Sequence, residues 1–428
     1  MQTLKLTKKY TPYPEYKDSG VEWLGKIPIH WNAYKLRNVL RSGIVDGPHE
    51  TPKYVEEGVP FISVDSIEET EKVNLDIVNK FISEEKYKEY NRKTKLAKDD
   101  ILFTKAASIG RVAIVDDRTF MTWSPLAIIK PDKKIAYFKY LFYTLKSEKF
   151  VEYVINKCSY NTQLNIGMKL LEKSMITIPE DLNEQTKIAN YLDEKTSLID
   201  QIIQKKKKQI ELLKERRTAF INDMVTNIKG EIVKIKNHVL VNPTKKAVST
   251  TSLEDTISFV PMEALSENGK LELQEKKYKE VKDGFTYFRD GDVVLAKITP
   301  CYENGKAGVM KGLKNGFGFG TTEFMVLRPK DSIIADYLYY LIFSDKFRKS
   351  GEVEMRGTAG QKRVASSFVK NYEFTLPNIE TQEEIVKELN RKTELFDLAL
   401  SKVEKSVETL QEFKSSLISN GVTGKIKV

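Results

Sequence analysis

The sequence predicts a mixed α/β protein built as an internal repeat. Two α/β domains are joined by two long antiparallel helices that form a coiled-coil spacer, with a pseudo-two-fold relation between the copies. Three observations predict this fold class. Segments of the first half of the 428 residues recur in the same order in the second half, many of them at an offset of 197 positions. Each copy opens with short β-branched and aromatic runs separated by turn residues, which is the pattern of strands. Each copy closes with a proline-free stretch whose apolar residues recur at steps of 3 and 4, the pattern of a long amphipathic helix.

The first domain is expected at 1–180. YKLRNVL (34–40), VPFISVDSI (59–67), DDILFTK (99–105) and SPLAIIKP (124–131) are its core runs, with VDGPHETP (45–52) as a turn signal. A helical pattern covers about 135–157, and Pro179 closes the domain. The central helix, assigned to 181–229 and expected as a helix over about 184–228, starts at Asn183 and Glu184, which suit the positive end of a helix dipole. Ile188, Leu192, Lys195, Ile199, Ile202, Lys206, Ile210, Leu213, Phe220 and Met224 mark its seam, and Gly230 its end. The run Lys205 to Lys208 inside it reads as a solvated face.

The second domain, 230–378, repeats the layout. VKIKNHV (233–239), ISFVPMEAL (257–265), GDVVLAK (291–297) and EFMVLRP (323–329) face their counterparts in order, with TPCYENGKAG (299–308) as a turn signal. YLYYLIFSDKF (337–347) matches YLFYTLKSEKF (140–150) inside a helical pattern at about 333–350, and Pro377 closes the domain. The closing helix and tail occupy 379–428, with the helix expected over about 381–419 from Thr381 to Gly421. Its seam is Ile385, Leu389, Phe396, Leu400, Val403, Val407, Leu410 and Leu417. The two copies are most alike at the helix starts, where Ile188, Leu192, Thr196 and Asp200 correspond to Ile385, Leu389, Thr393 and Asp397. Forty residues of helix at about 1.5 Å each give a rod of roughly 60 Å.

Composition narrows the function. Lys+Arg 70 against Asp+Glu 60 gives a net charge of +10, which favours a polyanionic partner, nucleic acid before a membrane surface. Two cysteines, Cys158 and Cys301, and three histidines, His30, His49 and His238, offer no metal-ligand spacing and no disulfide framework, consistent with a reducing cytosol. No apolar run approaches the ~20 residues of a membrane span. A cytoplasmic location is expected. There is no phosphate-binding loop, no methyltransferase-type Asn/Asp-Pro-Pro-aromatic run, and no Ser/His/Asp or Cys/His arrangement. GFGFG (316–320) has no glycine counterpart in the first copy and reads as a flexible strand lead-in; Trp23, Trp31 and Trp123 read as core. The chain reads as a binder, not an enzyme.

Two unlike heads, each followed by a more alike long helix, resemble the DNA-specificity subunits of type I restriction–modification systems. The resemblance is carried by YKDSGVEWLGKIPIHW (16–31), DGPHETPKYVEEGVPFISVDSI (46–67), the Pro179–Gln185–Ile188 element with its partner Pro377–Gln382–Ile385, and GVTGKIKV (421–428). The second copy departs by lacking the W-L-G-x-I-P-x-x-W stretch, and SYNTQLN (159–165) stands where the second copy has RGTAGQKRV (356–364). The resemblance implies that each domain is a target-recognition domain reading one half of a bipartite double-stranded DNA site. It implies that the helices set the gap and dock two methyltransferase subunits, with restriction/translocase subunits as further partners. It implies no cofactor in this chain, S-adenosylmethionine being expected in the methyltransferase subunits. A bivalent DNA-binding scaffold acting without a methyltransferase is the alternative.

DNA contacts are expected on turn-rich loops with donors beside glycine. In the first domain these are His49, Thr51 and Lys53, then Lys105, Ser108 and Arg111, then Asn161, Thr162 and Gln163. In the second they are Thr244, Lys245 and Lys246, then Lys297, Tyr302, Asn304 and Lys306, then Arg356, Gln361, Lys362 and Arg363. Ile188, Leu192, Ile199, Ile210, Leu213, Ile385, Leu389, Phe396, Leu400 and Val403 are the expected spacer and docking residues. No metal site is expected; His49 has no ligand partner nearby in sequence.

Overall fold

The computed structural model describes residues 11–68, 71–158, 165–245, 252–358 and 360–428. The chain divides into two compact units, residues 1–205 with 406–428 and residues 206–405. Each unit holds one α/β head, the start of the long helix that follows it, and the end of the other long helix.

The heads share one topology. In the first unit, Ile101–Thr104 and Leu126–Ile129 are the inner strands of a four-stranded antiparallel sheet, flanked by Val112–Ile114 and Val45–Asp46. Every residue of the two inner strands is buried, which is why both read as unbroken apolar runs. Val293–Ala296 and Phe324–Pro329, flanked by Ala307–Val309 and Val239–Val241, repeat that order in the second unit. A second sheet in each head joins a parallel to an antiparallel neighbour. Val59–Ile62 lies between Met121–Thr122 and Phe81–Ile82, and Thr256–Val260 lies between Phe317–Gly320 and Gln274–Lys277. The second unit adds Thr286–Arg289 at the edge.

GFGFG is not a flexible lead-in. Phe317–Gly320 is a fully buried strand paired on both sides. A Cβ on Gly318 would sit 2.7 Å from the Ser258 carbonyl oxygen, and one on Gly320 2.7 Å from that of Val260. Glycine is there because two backbones approach closely. Trp31 is fully buried, whereas Trp23 and Trp123 are only partly so.

Two helices back each main sheet, Phe138–Lys146 and Glu148–Asn156 in the first unit, Ala335–Phe343 and Asp345–Val353 in the second. An antiparallel pair then ties the start of each head to its end: Trp31–Lys35 with Met175–Pro179, and Glu231–Lys234 with Glu373–Leu376. The chain leaves that pair directly into a long helix, Leu182–Thr226 or Ile379–Val422. Both starts lie two residues before the expected ones. The caps are Asp181, whose carboxylate accepts from Asn183 N at 2.9 Å, and Asn378, whose side-chain oxygen accepts from Thr381 N at 2.9 Å. Gly421 does not end its helix. It lies inside the last turn, where the Leu192 side chain would meet a Cβ at 3.1 Å.

The residues shared by the two helix starts do the same work twice. Gln185 is fully buried; its Nε2 donates to the Ile135 and Pro179 carbonyls at 2.9 and 2.8 Å, and its Oε1 accepts from Tyr137 N at 2.7 Å. Gln382, equally buried, donates to Ser332 O and Pro377 O at 3.0 and 2.9 Å and accepts from Ile334 N at 2.9 Å. Seven residues and about two turns further, Leu192 and Leu389 are fully buried. The Tyr143 hydroxyl then meets Asp193 at 2.7 Å and Thr196 at 3.3 Å, as the Tyr340 hydroxyl meets Asn390 and Thr393 at the same two distances. Asp200 pairs with Lys414 across the two helices of the first unit at 2.6 Å. Asp397 pairs with Arg217 across those of the second at 3.1 Å. Arg217 and Lys414 are themselves 197 positions apart. In the first unit Leu192 also lies against Gly421, so contact numbers rise on one helix as they fall on the other: the helices run antiparallel.

Candidate nucleic-acid interface

In both heads the loop leaving the first inner strand, Ile101–Thr104 or Val293–Ala296, is bridged to the segment before the last short helix. The Lys105 amide donates to Pro125 O and the Lys105 carbonyl accepts from Ile166 N, while Ala106 bridges Asn165. The Lys297 amide donates to Glu323 O and the Lys297 carbonyl accepts from Val364 N, while Ile298 bridges Arg363. One backbone frame thus presents three loops at the same place twice. The side chains on it differ: Pro125 stands where the second head has Glu323, and Asn165 where it has Arg363.

In the second unit, Lys297, Arg356, Gln361, Lys362 and Arg363 come together on this frame, and all but the half-buried Lys297 are exposed. Arg356 and Arg363 exchange backbone hydrogen bonds at 3.0 and 2.9 Å, closing the hairpin that carries Gln361 and Lys362. Arg363 lies side-on to Glu323, with Nε 2.9 Å from Oε2 and Nη2 2.8 Å from Oε1, and its Nη1 donates to Gln361 O at 3.2 Å. The donated bonds from Arg363 hold the Glu323 carboxyl below the usual range and keep the guanidinium charged. Lys297 Nζ donates to Thr322 O at 2.7 Å.

Other expected contacts fall elsewhere. Tyr302 is fully buried and its hydroxyl reaches Phe347 O at 3.4 Å, so it is a core residue and not a contact to DNA. Burial pushes its phenol up, out of the titrating range. Asn304 and Lys306 have partners of their own. They donate to Glu267 and to Met262 O at 2.8 and 3.2 Å, on a cleft lined also by Lys214, Arg217 and Asp397. Thr244 is exposed, and Lys245 lies over the Phe319 ring at 5.3 Å and donates to Lys282 O. Lys246 lies outside the described residues.

In the first unit, Asp46 draws two expected residues together. Its Oδ2 is 3.2 Å from Lys105 Nζ and 3.4 Å from His49 Nε2. Lys105 is buried with its charge answered internally, so it anchors the loop and does not project from it. His49, Thr51, Lys53 and Arg111 are exposed and Ser108 is half-buried; Arg111 Nη1 donates to Ile67 O at 3.3 Å. Asn161, Thr162 and Gln163 lie outside the described residues. Asp46 and Glu323 were not among the expected residues. Their lysine and arginine partners lie 59 and 40 positions away, and no local pattern marks a carboxylate as the clamp of a distant base.

Along the long helices, Ile188, Leu192, Ile199, Ile385, Leu389 and Val403 are buried within their own units, so they are seam and not docking surface. Ile210, Leu213, Phe396 and Leu400 are half-buried. Ile202, expected in the seam, is 42% exposed, and Ile203 is buried instead. Among the apolar residues the helices leave outside is a repeated pair, Leu198 and Leu395, 47% and 52% exposed.

A family model, the type I restriction modification DNA specificity domain, matches residues 28–212 and again 221–408. The chain belongs to the type I restriction–modification DNA specificity family. Within that family it is 35% identical over 247 residues to the type I restriction enzyme EcoAI specificity subunit of Escherichia coli, a match covering 56% of this chain and 41% of that subunit. The chain thus spans less than half the length of that relative. It is 23% identical over 449 residues, covering 94% of both, to the MjaVIII specificity subunit of Methanocaldococcus jannaschii. Its fold is shared with a chain of a solved type I R-M system structure concerned with complex assembly and conformational transition: TM-score 0.72, 12% identity, 94% of this chain and 99% of that one. It is shared also with the HsdS subunit of Thermoanaerobacter tengcongensis, at a TM-score of 0.52, 12% identity and coverage of 94% and 98%.

Proposed function

We propose that this chain is the DNA-specificity subunit of a type I restriction–modification complex. Each unit reads one half of a bipartite site on double-stranded DNA, and the long helices dock two methyltransferase subunits, with restriction/translocase subunits as further partners. The chain does no chemistry: S-adenosylmethionine binds to the methyltransferase subunits, and the complex works in the cytoplasm. The observation that carries the reading is the doubled three-loop frame, kept in backbone and changed in side chain. Lysines and arginines at its rim supply phosphate contacts and register, and the differing residues at its centre supply base discrimination. Docking on the helices is supported by the exposed leucines at equivalent positions, Leu198 and Leu395.

Single-molecule sequencing of DNA from cells expressing this chain with methyltransferase subunits, against methyltransferase alone, tests it. A split methylation motif that appears only with this chain is expected. A complex that forms and leaves no chain-dependent methylation would favour a scaffold that binds DNA without directing modification.

A further inference from the structure

We propose that Arg363, clamped by Glu323, reads a guanine in the half-site of the second unit. The inference deepens the DNA-recognition reading and rests on it.

Arginine has five N–H donors in a rigid fork. In Arg363 three are engaged: Nε and one N–H of Nη2 by the Glu323 carboxylate, and one N–H of Nη1 by Gln361 O. One donor remains on each terminal nitrogen. Two adjacent donors are what a guanine presents O6 and N7 to accept in the major groove, and no other base offers that acceptor pair there. The clamp removes the rotamer freedom that an unrestrained arginine would lose on binding. The surroundings suit the approach of a phosphate chain. Lys297, Arg356 and Lys362 lie on the same frame, with Glu323 as the carboxylate joined to Arg363.

Position supports a role in specificity. Glu323 and Arg363 occupy the two frame positions that carry Pro125 and Asn165 in the first head, a pair that cannot form this clamp. A pair needed only to hold the frame together would be expected in both heads, since the backbone bridges are the same in both.

The test uses the complex of this chain with methyltransferase subunits. Methylation mapping of the unaltered complex gives the motif. Binding is then measured on duplexes in which each guanine of that motif is replaced in turn by 7-deazaguanine, which lacks the N7 acceptor. One replacement, in one half-site, should weaken binding roughly tenfold or more. Arg363→Lys should relax that same position and leave the other half-site unchanged. Glu323→Gln should relax it too, and Lys362→Ala should lower methylation evenly with the motif intact. The proposal is overturned if no 7-deazaguanine in either half-site weakens binding, or if Arg363→Lys leaves the motif unchanged or loosens both half-sites. The unaltered complex keeps the test decisive should a variant fail to assemble. Absence of any chain-dependent motif would instead count against the recognition reading itself.

Discussion

At the residue scale, the letters that recur between the copies are mostly hinges of each head on its helix. Gln185 and Gln382 each bond two carbonyls and one amide of the backbone around them. Replacing Gln185 with alanine removes all three bonds at a buried site, where leaving a polar group without its partner costs about 1–3 kcal/mol. Gln185→Ala should therefore lower stability by about 3 kcal/mol, read as a drop in the thermal midpoint; an unchanged midpoint would mean that water replaces the amide. The repetition of Thr196 and Asp200 as Thr393 and Asp397 was plain in the sequence. What they touch was not, because the tyrosines and cross-helix cations lie 53 to 214 positions away. The same limit misplaced Lys105 and Tyr302. A basic or hydroxyl side chain beside a loop glycine reads as available, and only the fold reveals that Asp46 has claimed the one and the core the other.

At the element scale, strands and helices were legible because their cores are nearly one-dimensional signals. DDILFTK and GDVVLAK are buried across their inner strands and read so. The long helices were legible in extent but not in face. A strict seam step carried the expectation onto Ile202, whereas the helix buries Ile199 and Ile203, one turn apart at a spacing of 4. Burial is deepest near the ends of the helices, where each packs on a head, and Leu192 is fully enclosed there. Leu192→Ala should cost about 2–5 kcal/mol by opening a cavity. Leu198→Lys with Leu395→Lys should leave the thermal midpoint within error and weaken capture of methyltransferase subunits. Loss of stability in that double variant, or undiminished capture, would remove these leucines from the docking surface.

At the scale of the whole chain, duplication is the main fact, and it was readable from the offset of 197 alone. Each unit reproduces the same main-sheet order, the same helix pair, the same closing strand pair and the same loop frame. On the proposed reading, the frame is kept while its side chains change because backbone register and base discrimination are separate tasks. The side-chain pairings on the frame were the least legible part, since the Arg363–Glu323 clamp joins loops 40 positions apart. The central claim is that each unit reads one half-site independently. Exchange of residues 230–378 for the corresponding segment of another family member, followed by methylation mapping of the hybrid complex, tests it most directly. The account predicts that one half-site changes to that of the donor and the other stays as it was; a hybrid that assembles and alters both half-sites, or neither, would contradict it.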